Sequence, residues 1–133
     1  MTNPQPQIWK ATSFSIERKE GKASSTVIFR LSGPFTARDM YSSLTPLDLQ
    51  NMLNFQSLPA EKPPALNILD LTGVPYVDSA GLGMIVDHYV HCKGKGIKLV
   101  VAGVSPRVLE LFKMTKVDAT LPIAATVEEV DIP

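Results

Sequence analysis

Cysteine, histidine and tryptophan are scarce in this chain: one, two and one respectively in 133 residues. A lone cysteine, Cys92, excludes an internal disulfide and fits a reducing, cytoplasmic setting. His88, His91 and Cys92 stand at i, i+3 and i+4, a spacing that brings donors to one helix face, yet no fourth ligand accompanies them. Half-exposed side chains near a helix end are the simpler reading, and no metal or other cofactor is expected. A surplus of either charge is also missing, because Lys plus Arg and Asp plus Glu both number 13. A nucleic-acid partner, which selects for a basic face, is therefore not expected. No run approaches the roughly 18 consecutive apolar residues of a membrane span. The opening M-T-N-P-Q-P-Q-I-W-K lacks the basic-then-apolar layout of a signal peptide, so neither direct membrane contact nor export is expected.

What the chain does have is a 44% hydrophobic content, enough for one compact domain with its own core. Residues 1–7, polar and holding two prolines, read as a flexible tail, and the domain as 8–133. Residues 8–18 and 24–31 tend to alternate around the turn-like K-E-G-K and predict an antiparallel hairpin. Thr36 and Asp39 have capping-box spacing, so a helix is expected from Ala37, with Met40, Tyr41 and Leu44 at helical spacing and a break near Thr45-Pro46. After the proline-rich loop L-P-A-E-K-P-P, Ala65 to Thr72 is short and mostly apolar, the pattern of a central strand buried on both faces. Ser79 to Lys93 predicts a helix whose stripe is Leu82, Ile85, Val86, Tyr89 and Val90. I-K-L-V-V-A-G follows as a second buried strand. Ser105-Pro106 opens another helix with Val108, Leu109, Phe112 and Met114 inward; L-P-I-A is then a short strand and T-V-E-E-V a last helical turn or two. The order ββαβαβαβα predicts an α/β fold, a mixed, mostly parallel sheet with an antiparallel N-terminal hairpin and flanking helices.

Catalytic motifs do not assemble. Gly81-Leu82-Gly83 lacks the third glycine of a dinucleotide loop, where Val86 stands, and begins inside the helix. A G-x-S-x-G elbow fails because Val77 stands two residues before Ser79. An enzyme is not expected. Ser79 itself falls at a strand-to-helix junction, where Asp78 suits the N-cap and Ser79 the first helical position, beside backbone N–H groups without intrahelical partners. A phosphate there meets the positive end of the helix dipole, so the fold tolerates it, while a docking partner meets a new, strongly hydrated charge beside Asp78 and near Asp70. An ordinary Asp-Ser helix start accounts for the same residues, and the residues alone leave both readings open.

The run Asp70-Leu71-Thr72-Gly73-Val74-Pro75-Tyr76-Val77-Asp78-Ser79-Ala80-Gly81-Leu82-Gly83 resembles the signature of the STAS domain, the family of bacterial anti-sigma factor antagonists (anti-anti-sigma factors) and sulphate transporter tails. I-K-L-V-V-A-G-V-S-P-R-V-L-E-L-F-K-M-T-K-V is similar to the next strand and helix of that family, and S-G-P-F-T-A to its second strand and first helix start. The resemblance runs from about Ile8 to Val130. It implies a STAS-like fold and partner switching: Ser79 as phosphoacceptor of an anti-sigma factor that is itself a GHKL-type serine kinase, reset by a serine phosphatase. Unphosphorylated protein would bind the kinase and free a sigma factor, and phosphorylated protein would not. Thr36, Asp70, Asp78, Ala80, Gly81 and Leu82 would form the partner-binding edge. Where the family often has Gly-Glu-Leu-Asp, this chain has Gly33-Pro34-Phe35-Thr36, so two acidic groups beside the acceptor are gone. The alternative implied by the same resemblance is a docking module of a transporter, lipid-trafficking or larger signalling complex without a phospho-switch. Self-association stays open.

Overall fold

The computed structural model describes residues 7–10, 13–40 and 63–133. Six strands form one sheet in simple sequence order: β1 (Gln7–Lys10), β2 (Ser15–Glu20), β3 (Thr26–Ser32), β4 (Leu66–Gly73), β5 (Lys98–Ala102) and β6 (Ile123–Ala124). β1 to β3 are antiparallel, and β3 to β6 run parallel. Among the described residues the helices are α1 (Ala37–Met40), α2 (Ser79–Gly94) and α3 (Pro106–Met114), with a short 3-10 turn at Val117–Ala119. The expected α/β class with an antiparallel N-terminal part is what the chain adopts.

Alternation divides the sheet into two apolar faces. Val27, Phe29 and Leu31 of β3, Leu69 and Leu71 of β4, and Leu99 and Val101 of β5 pack in one cluster with Met84, Ile85 and Cys92 of α2 and Val108 and Phe112 of α3. Parallel strands laid down in sequence order with crossovers of one hand place their helices on a common face, as α2 and α3 are. On the opposite face Ile28, Ile68 and Ala102 are covered by Ala124, Val127 and Val130. Burial on both faces explains why β4 reads as a continuous apolar run.

Four details depart from the sequence reading. Residues 8–18 contain parts of two strands, β1 and β2, with Trp9 opposite Ile16. One strand over that length would reach about 36 Å and overhang the seven-residue β3. Gln7, read as the end of a tail, pairs with Arg18. The buried face of α2 is Gly81, Met84, Ile85, His88 and Cys92, while Val90 is 60% exposed; at 3.6 residues per turn Val90 lies about 140° round from Ile85. Thr126 to Val130 forms a single hydrogen-bonded turn, Asp131 N–H donating to Val127 O, rather than a helix. The expected start of α1 at Ala37 holds, whereas Tyr41, Leu44, the break at Thr45-Pro46, most of the proline-rich loop and residues 1–6 lie outside the described residues.

The last turn ties the two ends of the fold together. Asp131, 8% exposed, accepts the N–H of Lys22 through Oδ2 and that of Ala23 through Oδ1, both at 2.8 Å, in the turn between β2 and β3.

Candidate functional site

The end of β4 and the start of α2 meet the end of β3 and the start of α1. Phe35 and Val77 form a parallel bridge, Phe35 N–H donates to Tyr76 O at 3.0 Å, and Asp78 N–H donates to Phe35 O. This juxtaposition lets one carboxylate serve two helices. Asp78, the N-cap of α2, accepts the Gly81 N–H through Oδ1 at 2.9 Å and the Ala37 N–H, at the first residue of α1, through Oδ2 at 3.0 Å. Each bond satisfies a donor that a helix start otherwise leaves unpaired.

Thr36 closes the neighbouring cap. Its Oγ1 accepts the Asp39 N–H at 3.2 Å and donates to Asp39 Oδ2 at 2.5 Å. Asp39 also accepts the hydroxyl of Ser13. These two hydroxyl donors, Ser13 first and Thr36 second, hold the Asp39 carboxyl below its ordinary range.

Ser79 is exposed at the first position of α2, and Ala80 and Leu82 are half-buried against the core cluster. Gly81 is buried because the Phe35 backbone crosses directly over it. The positive end of a 16-residue helix therefore faces solvent at a hydroxyl. Beside it opens a groove of about 390 Å³ lined by Thr36, Tyr76, Val77, Asp78, Arg107, Glu110, Leu111 and Met114. The Arg107 guanidinium lies 4.8 Å from the Tyr76 ring centroid. Met114, expected inward, is 75% exposed at the end of α3 and forms part of this groove. The α3 wall is absent from the sequence reading; the signal in reach was that Met114 lies about 200° round the helix from Phe112, off the apolar stripe.

Thr36, Asp78, Ala80, Gly81 and Leu82 thus converge on the α2 start, but Asp70 does not. Asp70 is 1% exposed on the sheet face opposite α2, aligned with Ile68. Its Oδ2 accepts from Arg30 Nε at 3.0 Å, and its Oδ1 accepts the Thr72 N–H and hydroxyl at 2.9 and 2.6 Å. These bonds shape the end of β4 from behind.

The histidines also divide. His88 and Cys92, expected half-exposed, are each 1% exposed, with Cys92 Sγ 3.8 Å from His88 Nε2 and Asn67 Nδ2 donating to that nitrogen at 3.1 Å. The Phe29 ring stands edge-on to His88. Desolvation, with His91 adding a smaller repulsion, lowers the His88 pKa to about 4; burial pushes the Cys92 thiol up to about 11. The imidazole is neutral and the thiol protonated, so this trio is a polar insert in the core. Among the described residues no three His, Cys, Asp or Glu side chains group to hold a metal, and no helix is long and apolar enough to cross a membrane.

A family model described as "STAS domain" matches residues 15–130. An anti-sigma factor antagonist from Mycobacterium paratuberculosis superposes with a TM-score of 0.67 at 19% identity, over 88% of this chain and 90% of that one. A sulfate transporter family protein from Wolinella succinogenes gives 0.65 at 19% identity, over 82% and 84%. The STAS domain of a SulP transporter from Vibrio cholerae gives 0.63 at 17% identity, over 80% and 78%. At such identities these likenesses concern the fold.

Proposed function

This chain belongs to the STAS domain family, and from that premise we propose that it is a non-catalytic, cytoplasmic anti-sigma factor antagonist, switched off by phosphorylation of Ser79. The observation that carries this reading is the exposed Ser79 hydroxyl at the head of α2, next to the Asp78 cap and the groove between the Tyr76–Asp78 segment and α3. In this reading a GHKL-type anti-sigma kinase docks on the face where Thr36, Asp78, Ala80 and Leu82 meet the α2 start, with Gly81 packed beneath it, and a sigma factor is released for transcription. The kinase then transfers the γ-phosphoryl of ATP to Ser79 Oγ; the hydroxyl proton passes to a kinase base and ADP leaves. The dianion, strongly hydrated and beside Asp78, weakens docking through the cost of desolvating it, while the helix dipole keeps the fold intact. A serine phosphatase restores the hydroxyl. Asp70 contributes by supporting the end of β4.

The test is intact-mass spectrometry with site mapping after incubation with ATP and the GHKL-type kinases of the source organism. One phosphate on Ser79, lost in Ser79→Ala, together with loss of kinase binding in Ser79→Asp, is the expected result. No modification by any of them, with Ser79→Asp retaining every partner found by pull-down, overturns it.

That second outcome favours a docking module of a transporter, lipid-trafficking or signalling complex. The feature in its favour is Gly33-Pro34-Phe35-Thr36: Phe35 and Thr36 are buried, and no carboxylate stands at those four positions.

A further inference from the structure

We propose that Asp78 is a relay between the two helix heads: a phosphate on Ser79 displaces its carboxylate from Ala37 and loosens the start of α1. This rests on Ser79 as the phosphoacceptor and adds where the new charge acts inside the molecule. Both Asp78 oxygens are committed, one to Gly81 in α2 and one to Ala37 in α1, across 41 residues of sequence in the second case. A phosphate on the adjacent side chain has oxygens able to accept from first-turn N–H groups, and it repels the carboxylate. It therefore competes for the Gly81 N–H and drives Asp78 away together.

The two helices respond differently. α2 keeps an anionic cap, because phosphate replaces carboxylate at its N-terminus. The Ala37 N–H loses the acceptor it has. The Thr36 and Asp39 cap persists, so α1 loosens at its first residue rather than melting. Thr36 and Asp78 both line the groove, so the change is presented where a partner of this face would sit.

The experiment installs phosphoserine at position 79 during translation, so its result does not depend on any kinase accepting the chain. Failure of the kinase assay would overturn the proposed function, while the relay is judged here on amide hydrogen exchange alone. With phosphoserine, the Ala37 amide is expected to exchange about tenfold faster or more, while amides of β4 and β5 stay within about twofold. Asp78→Ser, whose short side chain still caps Gly81 but does not span to Ala37, should accelerate Ala37 exchange to a similar degree without phosphate. Phosphoserine should then add less than about twofold. If Asp78→Ser fails to fold, Asp78→Asn, which keeps one acceptor oxygen, takes its place in the same comparison. Unchanged Ala37 protection in the phosphoserine protein overturns the relay, as does an equal further loosening by phosphoserine in the Asp78 variant.

Discussion

Gly81 and Phe35 touch through their backbones: a Cβ on Gly81 would stand 2.0 Å from the Phe35 carbonyl oxygen and 2.9 Å from Val77 Cγ1. Backbone does not step aside as a flexible side chain does. Gly81→Ala should therefore destabilise the protein by about 3 kcal/mol, the upper part of the overpacking range. Two residues on, a Cβ at Gly83 meets nothing within 4 Å. Gly83→Ala should stabilise by about 0.5 to 1 kcal/mol, because alanine is the better helix former. Urea unfolding of the two variants gives opposite signs if the glycines of the G-L-G run serve packing and chance respectively.

Asp70 offers a separation of structure from binding. Asp70→Ala removes the acceptor of Arg30 and of the Thr72 N–H and hydroxyl. Arg30 is 45% exposed and regains water, so the loss should be about 2 to 3 kcal/mol rather than the full penalty of a buried unpaired charge. Under conditions where the variant is folded, affinity for a partner at the Ser79 face should stay within about threefold of the parent, less than 1 kcal/mol. Thermal melting and a pull-down titration on the same sample measure both.

Stability should fall with acid through His88. Unfolded, this side chain takes its proton near 6.5; folded, only near 4. Between these values the unfolded chain binds more protons, so stability is full above pH 6.5 and declines as pH drops toward 4. The whole effect is about 3 kcal/mol. His91, also lowered by burial and by Lys95, adds a smaller slope of the same sign. Urea midpoints across this window should flatten in His88→Gln, with the remainder belonging to His91 and the carboxylates.

How much of this was readable beforehand depends on the range over which each feature is determined. The α2 start was readable because the Asp78 cap is a local matter, set by its bond to Gly81 three residues on. Its second duty was not, because Ala37 is brought close only when β3 and β4 pair. The burial of His88 was misread for the same reason: the partner that makes it tolerable, Asn67, belongs to a strand 21 residues earlier. Asp70 is a different case. Its parity with Ile68, opposite to Leu69 and Leu71, was already in the order of residues, since successive strand side chains point to opposite faces. Proximity in sequence to Asp78 and Ser79 obscured it.

The bond from Asp131 to the turn at Lys22 and Ala23 also sets a timetable. That turn is made early in synthesis, yet its two N–H groups receive their acceptor only when a residue more than 100 positions later has emerged. Until then the hairpin carries unpaired donors, and the sheet face of Ile28 and Ile68 awaits Val127 and Val130. Closure of this sheet face thus waits for Ala124, Val127 and Val130, and closure of the turn for Asp131, so a nascent chain halted before Ala124 holds that face open however long it waits.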